Sequence, residues 1–217
     1  MEKKQLKEAI KREYAKCAQD PVYFLGKYGI IQHPVKGKVN FNLYDFQEKS
    51  LNSFMKNDYN VVLKARQLGL STLTAGYALW MMTFQQDKNI LVIATKQDTA
   101  KNLVTKVRVM HANLPGWLKQ PCVEDNKLSL RYRNGSQVKA VASSEESGRS
   151  EALSLLIIDE AAFIDKIDTI WAASQQTLAT GGKALIISTP NGVGNFFHKT
   201  WMDAEDTTND FNLIKLQ

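Results

Sequence analysis

Four short runs, Asn60 to Leu63, Asn89 to Ala94, Ser154 to Ile158 and Lys183 to Ser188, are apolar without alternation, as strands buried on both faces of a parallel sheet should be. Stretches with helical spacing separate them, roughly Ser71 to Phe84, Gln97 to Asn113 and Lys166 to Leu178. Strand, helix, strand in that order places helices on both faces of a sheet, so the pattern predicts an α/β fold with a mostly parallel central sheet. Between Pro121 and Ala142 the pattern changes. Val123-Glu124, Leu128 to Arg133 and Gln137 to Val141 predict a small antiparallel insertion that turns at Asn134-Gly135, a strong hairpin dipeptide.

Ahead of the sheet, residues 2–19 read as a charged helix, and Asp20-Pro21 restarts a helical pattern because Pro is tolerated in a first turn. Gly29 to Lys38, with its Pro and Gly, reads as a loop, and Leu43 to Gln47 opens an amphipathic helix that runs to about Lys56. Ser143 to Ser150 is small, polar and loop-like, as is the acidic stretch Asp203 to Asp210. From Asp210 the chain begins another strand and stops, which suggests a piece trimmed from something longer. The organisation expected is a helical arm over 1–56, a core over 57–202, and the start of a truncated linker or subdomain over 203–217.

Composition narrows the class. With 217 residues, 44% of them hydrophobic, the chain is long enough for one α/β domain. No stretch approaches the roughly 18 apolar residues of a membrane helix, and no apolar run follows the charged start to act as a secretory signal, so an intracellular protein is expected. Cys17, Cys122, His33, His111 and His198 are too dispersed for a disulfide framework or a zinc site. Lys and Arg outnumber Asp and Glu by 28 to 22, which admits a polyanionic partner without requiring one.

The candidate chemistry sits where the apolar runs end. Lys64-Ala-Arg-Gln-Leu-Gly-Leu-Ser-Thr72 follows Val61-Val62-Leu63 and departs from the phosphate-loop pattern G-x-x-x-x-G-K-[ST], with Lys64 in the slot of the first Gly and Leu70 in the slot of the Lys. A strand-to-helix turn offers backbone N–H groups and the positive end of a helix dipole to phosphate oxygens. Gln67, Gly69, Leu70, Ser71 and Thr72 are therefore candidate ATP-binding residues, with the Ser71 hydroxyl a candidate ligand of Mg2+. A lysine acts on phosphate as a point charge on a flexible stem, so Lys64 or Arg66 can supply the missing cation from the other end of the turn; alternatively both are solvated loop cations.

Asp159-Glu160 ends four aliphatic residues, and ligands of such sheets bind beyond the carboxyl ends of the strands. Asp159 is expected to hold the metal and Glu160 to orient and polarise the attacking water. Ser188-Thr-Pro-Asn-Gly192 ends a third run, so Ser188, Thr189 and Asn191 either report on the terminal phosphate or form a plain turn. Gln47 offers a donor and an acceptor to an adenine edge, with Tyr44 or Phe46 as apolar surface. Arg149, on the polar loop, is a candidate for stabilising transition-state charge. Two basic surfaces could track a DNA backbone: Lys96, Lys101, Lys106 and Arg108 on one helix, and Lys127, Arg131, Arg133 and Lys139 on the hairpin.

Across roughly Asp20 to Trp201 the chain resembles the ATPase domain of the terminase large subunit, the DNA-packaging motor of tailed bacteriophages. The resemblance rests on Tyr44-Asp-Phe-Gln47, the Lys64 to Thr72 loop, Arg149, Leu155-Leu-Ile-Ile-Asp-Glu-Ala-Ala-Phe-Ile164 and Ser188 to Gly192, in that order. It implies an ASCE-type P-loop NTPase that uses ATP and Mg2+ to translocate double-stranded DNA into a procapsid in the host cytoplasm. Its partners would be the portal protein and the small terminase subunit, in a pentameric ring when assembled on the capsid and as a monomer when isolated. Some members of the family carry their lysine at the loop's start, as Lys64 stands here. The resemblance further implies that Gln47 reads adenine, that Arg149 is an arginine finger, and that Ser188, Thr189 and Asn191 couple hydrolysis to movement. Full-length relatives add a nuclease domain whose acidic metal cluster has no counterpart here, so cutting activity is not expected. A helicase-like superfamily 2 translocase and a non-catalytic DNA-binding or assembly module with a decayed nucleotide site are the alternatives.

Overall fold

A computed structural model describes residues 3–144 and 151–216. Helix α1 (Lys3–Gln19) ends at Asp20, whose Oδ1 accepts from the backbone N–H of Val22 (2.8 Å) and Tyr23 (3.1 Å) and so starts α2 (Pro21–Tyr28). Glu13 ties the two helices together. It accepts from Lys27 Nζ (2.6 Å), Tyr23 Oη (2.8 Å) and Tyr28 Oη (2.9 Å), and the Lys27 bond above all holds its carboxyl down to about 2.

The stretch read as a loop instead contains a hairpin, β1 (Ile30–His33) and β2 (Gly37–Asn40), with Ile30 opposite Asn40 and His33 opposite Gly37. Its Pro34 and Gly37 (φ 70°) are turn residues, and His33 Nδ1 accepts from the N–H of Val35 and Lys36 across the turn. Arms of four residues are too short for alternation to stand out beside Pro and Gly.

The main sheet, eight-stranded among the described residues, runs β10-β3-β9-β8-β4-β7-β6-β5. Its strands are β3 (Tyr59–Lys64), β4 (Asn89–Ala94), β5 (Cys122–Asp125), β6 (Ser129–Tyr132), β7 (Gln137–Ala142), β8 (Leu155–Asp159), β9 (Lys183–Ser188) and β10 (Phe211–Leu216). All pairings from β10 to β7 are parallel, whereas β6 and β5 run antiparallel. The expected insertion is thus a continuation of the sheet, because β7 pairs in register with β4. The strand read from Asp210 onward, within the stretch expected to start a linker or subdomain, is β10, whose six residues pair one for one with β3.

Successive strand residues face opposite sides. Val62, Val92, Ile157 and Ile187 join the core under α3 (Asp45–Lys56), α4 (Leu70–Phe84) and α5 (Gln97–Ala112), while Val61, Ile93, Ile158 and Ile186 join a second core under α6 (Ile167–Leu178) and α7 (Phe196–Glu205). Helix α4 is apolar nearly all round and buried from Leu70 to Thr83, except Ser71 and Thr72, as a helix wedged between a sheet and further helices must be. Helix α7 was not anticipated, although Phe196, Phe197, Thr200 and Ala204 bury one face and Asn195 caps it by accepting from His198 N (3.0 Å). No helix among the described residues is long and apolar enough to cross a membrane.

Candidate active site

The carboxyl ends of β3, β9, β8 and β4 lie side by side, and the residue following or ending each strand opens into one place. Lys64, Arg66, Gln67, Thr95, Glu160, Phe163 and Thr189 line an open cleft of about 560 Å³. Two left-handed residues, Gln67 (φ 63°) and Gly69 (φ 72°), curl the chain between β3 and α4. A side chain at Gly69 would be strained by that φ and would meet Gln47 Nε2 at 3.0 Å. The head of α4, at Leu70, follows three residues beyond the cleft-lining Gln67, and a helix N-terminus offers N–H groups to phosphate oxygens.

Leu70, in the lysine slot, is 1% exposed and packed in the core beneath α4. The usual position for the cation is therefore filled by an apolar side chain facing inward. Lys64 is half-buried at the end of β3, opposite Leu216 of β10, and the next residue, Ala65, donates its N–H to Leu216 O (3.1 Å). Arg66 is exposed on the turn. Both cations border the cleft.

Ser71 Oγ donates to Asp159 Oδ2 at 2.8 Å, and Asp159 Oδ1 accepts from the N–H of Glu160 at 3.0 Å. Both carboxylate oxygens of the buried Asp159 are thereby aimed, one of them across the sheet at the head of α4. A hydroxyl and a carboxylate side by side are the hard oxygen donors that suit Mg2+ shared with phosphates. Among the described residues no group of three or more His, Cys, Asp or Glu could hold a metal by itself, so water and phosphate oxygens would supply the rest of the shell.

Glu160 has left-handed backbone (φ 58°, ψ 39°), a conformation that costs a non-glycine residue about 1–2 kcal/mol. Its carboxylate Oε2 accepts from Thr95 Oγ1 at 3.3 Å. Thr95, at the end of β4, was not singled out from the sequence. The signal was available, since it occupies the same place after an apolar run as Glu160 and Thr189 do.

The turn after β9 is wired to the turn after β8. Buried Ser188 Oγ accepts from Ala162 N (3.1 Å) and donates to Thr189 O (2.7 Å), and Asn191 Nδ2 donates to Ala162 O (3.0 Å). Gln47 is 2% exposed: its Nε2 donates to Leu68 O in the loop and its Oε1 accepts from Tyr44 N, both at 3.1 Å. It is a strut between α3 and the loop, with one amide proton and one lone pair left over. Tyr44, 67% exposed, stacks on Phe46 with ring centroids 5.6 Å apart. Thr72 faces a second cavity of about 320 Å³, shared with Ile31, Asn102 and Lys106. Arg149 lies outside the described residues.

The two basic surfaces differ. On α5, Arg108 donates to Asp125 Oδ1 (2.5 Å) and to Asn126 O, and Lys101 lies 4.0 Å from Asp98. Lys127, Arg131, Arg133 and Lys139 are exposed and, among the described residues, form no ion pair. The pairing of Ser129 with Lys139 and of Arg131 with Gln137 puts Arg131 and Lys139 on one face of the sheet.

The same fold is found in solved large terminases. The ATPase domain of the Thermus phage P74-26 large terminase is 22% identical, with 76% of this chain and 79% of that one aligned at a TM-score of 0.58. The HK97 bacteriophage large terminase is 18% identical over 92% of this chain, which spans 43% of that protein, at a TM-score of 0.71. The large terminase of a thermophilic bacteriophage in complex with ADP is 14% identical over 79% of this chain and 44% of its own, at a TM-score of 0.63. At these identities the likeness is one of fold, an α/β P-loop NTPase. The family model described as terminase large subunit, T4likevirus-type, N-terminal, matches residues 61–215, most of the chain; the protein belongs to the terminase large subunit family.

Proposed function

We propose that this domain is a magnesium-dependent ATPase that drives double-stranded DNA into a procapsid. The observation that carries the reading is the 2.8 Å bond from Ser71 Oγ to Asp159 Oδ2. It ties the head of the loop helix to the acidic strand at the one place where a metal shared with phosphates would need both. Ser71 and Asp159 would hold magnesium, which would supply charge neutralisation to the phosphates. Gly69 lets the backbone N–H groups approach the phosphates, and Lys64, entering from the strand end, supplies the cation that Leu70 does not. Arg66 is the second candidate. Glu160 orients and polarises the water that attacks the γ phosphate, taking its proton as the bond to the leaving oxygen breaks.

Around that centre, Gln47 would read adenine with its remaining amide proton and lone pair while bracing the loop, with Tyr44 as stacking surface. Arg149 would act as the finger, and Ser188, Thr189 and Asn191 would transmit the state of the cleft, a role supported by the bonds of Ser188 and Asn191 to Ala162, two residues after Glu160, and by the bond of Ser188 to Thr189 O. DNA would run along the β6–β7 face, because the cations there form no ion pair among the described residues while Lys101 and Arg108 of α5 each lie against a carboxylate. The ring on the portal and the small subunit are the assembly this activity requires.

The reading is tested by steady-state hydrolysis and binding of a fluorescent ATP analogue. Glu160→Gln should bind the analogue as wild type and lose at least about 100-fold in turnover, the scale of a general base. Lys64→Ala should lose both binding and turnover, and Arg66→Ala less of each. Full activity in Glu160→Gln, or in both cation variants, would remove the basis for the proposal.

A further inference from the structure

Two helices of this chain carry their charges at the wrong ends. Helix α1 opens on Lys3 and Lys4 with no acid in its first turn, and α7 closes on Asp203, Glu205 and the C-cap Asp206 with no base in its last. Cations at a helix N-terminus and anions at a C-terminus oppose the helix dipole and cost stability. Nothing nearby offsets this with opposite charge. Lys4, Lys7, Lys11, Arg12 and Lys16 are exposed and, among the described residues, take part in no ion pair; nor do the exposed Asp203, Glu205, Asp206 and Asp210. Glu13 is already held by Lys27, which leaves Glu8 as the exposed acid of α1.

Each patch also shows an apolar side chain to solvent. Helical spacing puts Leu6 on the stripe that continues as Ile10, Tyr14 and Cys17 and meets the body: Cys17 O accepts from Trp80 Nε1 at 2.8 Å, and the Tyr14 ring meets Phe84 edge-on at 5.0 Å. The body ends before that stripe does, because every residue from Lys4 to Ala9 is exposed, Leu6 included. On α7 the exposed apolar side chain is Met202, one turn before Asp206. The two patches cannot meet within one chain. Helix α1 packs on the core beneath α4, whereas α7 packs on the core of the other sheet face.

We propose that the start of α1 docks on the end of α7 in a second copy of this chain, lysines against carboxylates and Leu6 beside Met202. The N-terminus of one helix then faces the C-terminus of the other, so a single contact relieves both misplaced sets of charge. Because the two patches differ, the contact is heterologous: each further copy adds head to tail, into a ring where the rotation closes. A nucleic-acid backbone would attract the lysines, but it offers Leu6 no apolar partner and leaves the acids of α7 unexplained. Neither patch includes a residue that lines the cleft, and the contact owes nothing to the hydrolytic reading.

Sedimentation velocity of the chain at about 200 μM reads the contact, which with a few residues on each side is weak and screened by salt. Wild type should form species larger than the monomer at about 50 mM salt and sediment as a monomer at about 1 M. Lys4→Glu with Lys7→Glu should raise the association Kd at least about tenfold, and so should Asp203→Lys with Asp206→Lys. Mixed in equal amounts, these two proteins should associate again to within about threefold of wild type, since the reversed lysines of one meet the reversed acids of the other and the native patches also pair. Both reversals bring charge into line with the helix dipole, so Tm should not fall and lost docking is separated from lost folding. A wild type that stays monomeric at low salt, reversals that associate as wild type does, or a mixture that stays monomeric would overturn the contact. So would loss of duplex binding in the lysine reversal beside a wild type that never self-associates, which would give α1 to nucleic acid. Binding of the ATP analogue should be the same in all these proteins, so a fully active Glu160→Gln would remove the hydrolytic reading and leave this contact standing.

Discussion

Returning a lysine to its usual slot should damage this protein rather than improve it. Leu70 is 1% exposed at the first position of α4 and belongs to the core that also holds Phe24, Leu25 and Phe41. Leu70→Lys forfeits part of the roughly 1.5–3 kcal/mol that burying a leucine contributes. It also forces an ammonium either to desolvate or to bend out over the loop, with only its stem left to pack. The sum is about 2–4 kcal/mol, which at 2–4 °C per kcal/mol for a domain of this size lowers Tm by about 5–15 °C. Thermal melting followed by tryptophan fluorescence reads the stability, and turnover of Lys64→Ala with and without Leu70→Lys reads the function. The double variant should be no more active than Lys64→Ala alone. If it instead recovers wild-type turnover at an unchanged Tm, the slot faces the phosphates and the argument that the cation enters from the strand end is refuted.

Ser71→Ala removes the donor to Asp159 Oδ2 and should raise the Mg2+ concentration for half-maximal turnover about tenfold, one hydroxyl ligand's worth; an unaltered metal titration would rule Ser71 out as a ligand. His111 is 6% exposed, its Nε2 pairs with Gln120 O at 2.9 Å, and burial lowers its pKa from 6.5. The unfolded chain therefore takes up the proton first as pH falls below 6.5, and wild-type stability should drop from there downward, whereas His111→Gln should show a flatter acid limb in urea melts at pH 7 and pH 5. Reversing Arg131 and Lys139 to Glu should weaken duplex binding and reduce the slope of log K against log salt by about 2, since two phosphate contacts are lost; the same reversal at Lys101 and Arg108 should have the smaller effect, and the opposite ranking would move the DNA to α5.

The buried strands were legible because each is apolar on both faces, and β4 and β9 have the very ends read from the sequence. Pairing partners were not legible. The run 121–142 reads as a self-contained hairpin, since nothing local distinguishes a strand that pairs only with its neighbour from one whose other edge meets β4. The β1–β2 hairpin and α7 were missed for different reasons. The first is split into two four-residue arms around Pro34 and Gly37, while the second carries an ordinary apolar face that the acidic stretch behind it drew attention from. In the site, Lys64, Asp159 and Ser188 were found from the strands they end, whereas Thr95, just after β4, was not. Gln47 was picked out for its amide, but its bond to Leu68 joins positions 21 apart, and no spacing rule foretells that.

The strand-end cation also explains why β10 matters. A lysine at the first position of a helix is held by the helix; one at the end of a strand is held only as firmly as the strand's last residues are paired. Lys64 is the last residue of β3, its register partner on the outer side is Leu216, and the following N–H is taken by Leu216 O. On the inner side the pairing with β9 stops one residue earlier, at Leu63 with Ser188. The backbone that carries the cation is thus fixed from the outer edge of the sheet. On the proposed reading, in which Lys64 carries the phosphate-binding charge, a strand outside β3 steadies it, and β10 is that strand.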